Sequence, residues 1–404
     1  MIDINAFTAN KQGIKALTAA AAMQLCLGIV YVWSVFVLPV SEHYNWDPAS
    51  VKLMASYMIC FFGLGIFCGG KLQEKIGASK VVLTGGMMLS GGILVTAFVP
   101  LSLPWLIYIT YGIIGGLGVG IAYNSNVSSA QKWFPNNRGF AAGVTIGAFG
   151  FSTVIFAPLI ELLIGLFGLQ RTFLILFLLY FAAVLFLFRF ITFPESTGTV
   201  DEALARLLKK KQYSTLEMLT KKTFYFITTI HICGTTAFMV LNPSLKTFAI
   251  ERGFDPAIGT LIVMLTGVAS ALGRLSVPAM SDKIGREKSY IVILVINLLC
   301  ALSLISAQGF LFMAAILFTA FSYGGYAGII PAVTADYFGI KNVGSNYGAV
   351  TAFWSVAALT FPMIISRIDS VSVTLKFVVL IAFAVIGLLA LILLVFSKKN
   401  LDRE

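Results

Sequence analysis

Apolar runs separated by polar loops divide the chain into twelve stretches of mostly apolar residues, at 14–40, 49–69, 79–99, 104–130, 138–165, 171–193, 222–250, 256–279, 288–307, 309–336, 343–366 and 372–396. At about 1.5 Å of rise per residue, roughly twenty residues cross the hydrocarbon core of a bilayer, where a single segment satisfies its backbone only as a helix. The pattern therefore predicts twelve transmembrane helices. The first run, about Leu17 to Val40, is long enough to span, so the N-terminus is expected to stay attached rather than be cleaved as a signal.

The polar segments between the runs set orientation and organisation. With the N-terminus placed inside, twenty-one of the 28 Lys and Arg fall in inside segments and six in outside segments, leaving Arg274 within a run. Basic residues concentrate on the cytoplasmic side of membrane proteins, so both termini are expected in the cytoplasm and the chain in the cell membrane, multi-pass. One long polar stretch, 194–221, holds Pro194-Glu195-Ser196-Thr197-Gly198 and Lys209-Lys210-Lys211. It predicts an N-terminal bundle at 1–193, a cytoplasmic linker at 194–221 and a C-terminal bundle at 222–404. The halves repeat: Trp46-Asp47-Pro48-Ala49 returns as Phe254-Asp255-Pro256-Ala257, and Lys75-Ile76-Gly77 returns as Lys283-Ile284-Gly285, both displaced by 208 residues. The fold class is thus all-α integral membrane, with two pseudo-symmetric six-helix bundles and a path at their interface near the midplane.

Composition narrows the chemistry. Hydrophobic residues make up 58% of the chain and charged residues 11%, with mean hydropathy +0.93, which excludes a soluble enzyme or scaffold. The net charge of +11 is scattered in short loop clusters, a topological pattern that predicts the lipid bilayer as partner and no nucleic acid. Five single cysteines show no ligand spacing, and two His with peripheral carboxylates assemble neither a metal site nor a catalytic set. The glycine-rich stretches lack the Lys-Ser/Thr ending of a phosphate-binding loop, so no cofactor, ATP-driven pumping or catalysis is expected.

Gly70-Lys71-Leu72-Gln73-Glu74-Lys75-Ile76-Gly77 after the second run and Ser281-Asp282-Lys283-Ile284-Gly285-Arg286 after the eighth resemble the loop motifs of the major facilitator superfamily. Gly28-Ile29-Val30-Tyr31-Val32-Trp33-Ser34-Val35-Phe36, Gly118-Val119-Gly120-Ile121-Ala122-Tyr123-Asn124, Trp133-Phe134-Pro135-Asn136-Asn137-Arg138-Gly139 and Gly273-Arg274 resemble oxalate:formate antiporters and monocarboxylate transporters within it. The resemblance covers essentially the whole chain and implies the major facilitator fold. A small residue such as Gly70 lets helix ends approach, and Glu74 or Asp282 can face a neighbouring helix N-terminus or loop cations. Gly70, Glu74, Lys75, Asp282 and Arg286 are accordingly expected to latch one conformation, although Glu74 stands where the superfamily more often has Asp.

Arg274 carries the functional expectation. A charge inside the membrane costs at least about 2.5–3.5 kcal/mol unless a polar cavity or counter-charge meets it. No Asp or Glu lies deep in a run; Glu161 is near an outer end and Asp336 near an inner one. Thr266, Gly267 and Ser270 share the face of Arg274 at helical spacing and predict a water-lined stripe. The missing counter-charge is then the substrate, and the planar guanidinium suits a carboxylate.

By resemblance, Tyr31 and Tyr123 match positions that line the substrate cavity, although lipid-facing Tyr is also common in membrane helices. Asn124 beside Tyr123, and Tyr323 and Tyr326 in the tenth run, are further candidates. Two readings fit His231: a proton carrier titrating near physiological pH, or a neutral hydrogen-bonded core residue. Asn242-Pro243 is expected to kink the seventh helix. Oxalate exchangers of the family carry a Lys in helix eleven where this chain has Trp354, which implies a monoanion.

These residues predict a secondary transporter of lactate-, pyruvate- or formate-like monocarboxylates, proton-coupled, working as a monomer by alternating access. The competing readings are an oxalate:formate-type dicarboxylate/monocarboxylate exchanger and a non-transporting membrane receptor or assembly factor.

Overall fold

The computed structural model describes residues 11–194, 208, 211–242, 245–369 and 373–401. Residues 195–207 and 209–210 of the expected linker, and Pro243 of the expected kink, lie outside them. The first crossing is not one continuous helix. It runs as α1 (Lys11–Leu27), a tight 3-10 turn (Gly28–Tyr31) and α2 (Trp33–Tyr44). Within that turn, Gly28 lies so close to the Phe149 carbonyl and Ser152 that a Cβ would collide with both.

The second crossing, α3 (Pro48–Ile76), starts with Pro48 in its first turn and Asp47 accepting the Ser50 amide at 3.0 Å. Such a cap removes one of the unpaired donors at a helix start. α3 continues seven residues past the apolar run that predicted it, into the Gly70–Ile76 motif. Gly77 ends it with φ 82° and ψ 161°, and Gly285 ends the matching helix of the second half with φ 96° and ψ 154°. Residues with a Cβ avoid this region, so the repeated Lys-Ile-Gly motif fixes one backbone turn twice.

α4 (Ala78–Ala97) follows, then a π-helical stretch (Tyr108–Gly115) leading into α5 (Gly116–Trp133). α6 (Arg138–Leu187) contains both the fifth and sixth crossings, because Gly168 at φ 76° breaks the helix between them. After the short α7 (Thr215–Leu219) come α8 (Lys222–Leu241), α9 (Leu245–Glu251), α10 (Pro256–Ile284), α11 (Arg286–Leu304), α12 (Gly309–Phe338), α13 (Val343–Asp369) and α14 (Val373–Leu401).

Among the described residues, nine helical stretches are long and apolar enough to cross a membrane. The break at Gly168 gives one of them a second crossing. The π-to-α join supplies the fourth crossing, and the 27-residue α13 is long enough for the eleventh. The halves pack through α3 against α13 and through α6 against α10. Gly70 lies against the Gly344 carbonyl without room for a Cβ, a close approach only small residues allow. In the first half, Trp33 packs tilted against Tyr111 at 4.7 Å and Phe36 stacks on Phe173 at 5.0 Å, with the Trp33 indole N–H donating to the Val51 carbonyl at 2.8 Å.

Candidate functional site

Eight crossings, four from each half, converge on one central pocket. From the first half come Tyr31, Phe62 and Ile66, Tyr123, and Ile146 with Phe149. The second half supplies His231 and Thr235, Arg274, Tyr323 with Ala327 and Ile330, and finally Tyr347, Thr351 and Trp354. The free space, about 30 Å³ for the centres of water-sized molecules, holds one or two waters.

Arg274 is 3% exposed. Its Nη2 donates to the Tyr31 hydroxyl at 3.3 Å across the two halves, and the guanidinium lies 5.2 Å from the Tyr31 ring centroid and 5.8 Å from that of Tyr323. Rings at that distance offer their electron-rich faces to a cation. Buried Nε finds no acceptor, and no carboxylate pairs with Arg274 among the described residues. Gly150 supplies the clearance: a Cβ there would run into the guanidinium.

An aromatic floor supports this cation. Phe149 packs edge-on to Tyr31 at 5.4 Å and to Tyr123 at 4.9 Å, and stacks on Phe62 at 5.6 Å. Across the pocket, the Trp354 indole N–H donates to Thr235 Oγ1 at 3.1 Å, while that hydroxyl donates to the His231 carbonyl at 2.8 Å. His231 is 4% exposed, its ring lies 5.8 Å from that of Trp354, and its Nδ1 has no partner.

The sequence candidates therefore separate. Arg274, Tyr31, Tyr123, Tyr323, His231 and Trp354 meet in the pocket. Tyr326 does not line it; its ring lies against Gly234 and stacks on Tyr290 at 6.0 Å. Asn124 does not line it either, since its amide donates to the carbonyls of Ile66 at 2.5 Å and Gly344 at 2.8 Å, tying α5 to both α3 and α13. Thr266 and Ser270 are buried and are not among the residues lining the pocket, and the Thr266 hydroxyl donates to the Val263 carbonyl, so of the expected stripe on α10 it is Arg274 that reaches this pocket.

Phe62, Phe149, Tyr347 and Thr351 were not among the sequence candidates. Tyr347 and Thr351 lie seven and three residues before Trp354, one helical face, and that spacing is the signal that finds them.

The motif residues meet at the lysine- and arginine-rich end of the bundle. Asp282 accepts the amides of Gly139 at 3.1 Å and Phe140 at 2.9 Å, so a carboxylate of one half seats on the positive N-terminus of α6 in the other. Arg286 holds Asp282 at 2.7 Å and reaches Asp336 at 2.7 Å through Nε, and Asp336 also pairs with Arg138 across the halves. On the pseudo-symmetric side, the Ser345 hydroxyl donates to Glu74 at 2.6 Å. Gly70 packs on Gly344, whereas Lys75 is exposed.

An Asn in place of Asp282 keeps an amide oxygen as acceptor but loses the charge at the helix terminus, a change of about 1–3 kcal/mol. Asp282→Asn is therefore expected to shift the equilibrium between closed and open forms of this end by about 5- to 150-fold. Faster hydrogen exchange of the Gly139 and Phe140 amides by mass spectrometry checks it; unchanged protection of that segment refutes it.

Comparison with known proteins agrees with this architecture. The Major Facilitator Superfamily profile matches residues 18–362 and 227–403. The oxalate:formate antiporter of Oxalobacter formigenes is 27% identical over 345 residues, covering 84% of this chain and 80% of that protein. Monocarboxylate transporter 12 of Rattus norvegicus is 25% identical over 366 residues, covering 82% and 74%. The crystal structure of the transporter FucP in the outward conformation superposes with a TM-score of 0.69 at 15% identity, over 96% of this chain and 99% of that one. These relatives are transporters rather than enzymes. With a family profile spanning most of both halves and a central pocket built from each, the chain belongs to the major facilitator superfamily.

Proposed function

We propose that the protein is a secondary transporter of small monocarboxylates, proton-coupled and working by alternating access as a monomer in the cell membrane, with both termini cytoplasmic. The observation that carries this reading is Arg274, a buried cation in a pocket shared by both halves and without a carboxylate partner among the described residues. A substrate carboxylate supplies the missing charge. Its oxygens take donors from the guanidinium edge and from the hydroxyls of Tyr31, Tyr123, Tyr323 and Tyr347, while Ile66, Ile146, Ala327 and Ile330 leave an apolar surround for a short tail. Once the substrate neutralises the cation, the two halves can close over the loaded site at lower cost than over the empty charged one.

The halves meet through the Asp282 and Glu74 contacts at the basic end, which in this reading is the cytoplasmic gate. Breaking those contacts on binding opens the pocket inward. His231 is the proton acceptor in this scheme: its Nδ1 is free and it shares the pocket with Arg274 and the four tyrosines. A carboxylate bound beside Arg274 shares the pocket with His231, which ties the proton to the substrate.

Counterflow of radiolabelled lactate, pyruvate, formate and acetate in proteoliposomes tests the function. Saturable exchange of at least one is expected, and none with any small carboxylate supports the receptor reading instead. In the same vesicles, with membrane potential clamped at zero, an inward proton gradient is expected to drive accumulation in wild type. His231→Gln is expected to keep counterflow and lose that accumulation. Gradient-independent uptake in wild type refutes coupling, and full gradient-driven uptake in His231→Gln removes the histidine from it.

A further inference from the structure

Trp354 belongs to two spaces at once. Trp354 lines the Arg274 pocket, and it also walls a second crevice between α8 and α13, formed by Ile232, Thr236, Met239, Ala357 and Ala358 together with Thr235, which lines both spaces as well. That crevice has no room for a water molecule and is apolar apart from its threonines. We infer that Trp354 is the specificity-determining partition that sets the longest substrate tail, closing off an apolar extension of the pocket that would accept longer carboxylates. The inference rests on the carboxylate reading above and adds the size class: acids with tails of about one to three carbons.

The partition is held in place rather than merely present. Thr235 has one hydroxyl proton, which it gives to the His231 carbonyl at 2.8 Å, so its lone pairs are free to accept the indole N–H at 3.1 Å. Both groups of the pair are satisfied and Trp354 is buried, which fixes the ring orientation between the two spaces. Beyond the indole the crevice has no room even for a water, so a longer chain has nowhere to extend while the indole stays. A side chain that fills volume beside a charged anchor selects by tail length: one methylene too many in a tight apolar site costs roughly 10- to 200-fold in discrimination.

The test is a ladder of straight-chain monocarboxylates from acetate to hexanoate, with the matching 2-oxo acids, measured as inhibition of labelled acetate or pyruvate counterflow in proteoliposomes and normalised to acetate within each variant. Wild type is expected to lose binding steeply beyond the four-carbon acids. Trp354→Ala joins the two spaces and is expected to improve the five- and six-carbon acids relative to acetate by at least about 10-fold. Thr235→Val removes the acceptor at nearly constant volume, frees the indole, and is expected to move the cut-off in the same direction by less. It decides the matter if Trp354→Ala does not insert.

A flat length profile in wild type, or an unchanged cut-off in Thr235→Val and in any inserted Trp354→Ala, overturns this inference alone. Absence of counterflow with every carboxylate in wild type overturns the carboxylate reading and this inference with it.

Discussion

Arg274→Lys is expected to remove most transport while the protein still inserts and folds. The substitution keeps the charge, so the electrostatic cost of the buried site and its attraction for an anion stay similar. What changes is geometry. The guanidinium is a planar fork whose Nη2 already donates to Tyr31 and whose Nε is unengaged, so one edge can grip both oxygens of a carboxylate. An ammonium offers a compact point charge on a shorter reach, and the Gly150 clearance shaped for the guanidinium goes unfilled. Losing one charge-assisted hydrogen bond of such a pair costs about 1.5–3 kcal/mol, about 10- to 150-fold in affinity. Equilibrium binding of labelled substrate to purified wild type and variant measures this directly. Normal affinity in Arg274→Lys removes the bidentate role, whereas an aggregated variant is excluded by its size-exclusion profile.

The fold was readable because lipid imposes a simple rule: apolar run length gives helix number. The repeat at 208 residues was equally plain, since Lys75-Ile76-Gly77 and Lys283-Ile284-Gly285 encode the same positive-φ turn. Apolar periodicity did not reveal the interruptions within crossings. The 3-10 turn at Gly28–Tyr31 and the π-helical stretch at Tyr108–Gly115 leave the hydropathy pattern intact. Arg274 announced itself because an unpaired charge in a membrane helix needs an explanation.

Its neighbours are harder to read. A tyrosine in an apolar run looks the same whether it faces lipid, a core or a pocket. Tyr323 lines the pocket, while Tyr326, three residues on, stacks on Tyr290 behind α8. Asn124 shows the same limit, because a buried amide can bind a ligand or tie helices together, and only its distances to the Ile66 and Gly344 carbonyls distinguish the two. Asp336 sits near a helix end and carries no motif, yet it links Arg138 and Arg286. A pair 198 residues apart in sequence has no local signature.

The charge of the substrate gives the last large effect. Arg274 is the one permanently charged group among the residues lining the pocket, and Trp354 stands where the family resemblance sets a lysine in oxalate exchangers. The indole is neutral, buried, and has its single donor committed to Thr235. With His231 neutral, a dianion entering this pocket would leave one negative charge uncompensated. Even on the mild membrane scale that costs about 2.5–3.5 kcal/mol, roughly 70- to 370-fold in affinity. Wild type is therefore expected to prefer lactate, pyruvate, formate or acetate over oxalate and malonate by about 100-fold, measured by competition against labelled pyruvate at a pH where all are ionised. Trp354→Lys reverses the balance by adding a second cation to the pocket: dianion competition is expected to improve by a similar factor while monoanions weaken, because each then leaves one cation unpaired. Oxalate or malonate outcompeting the monocarboxylates in wild type refutes the one-charge assignment and favours the exchanger reading. No gain for dianions in a folded Trp354→Lys means that position 354 does not face the substrate.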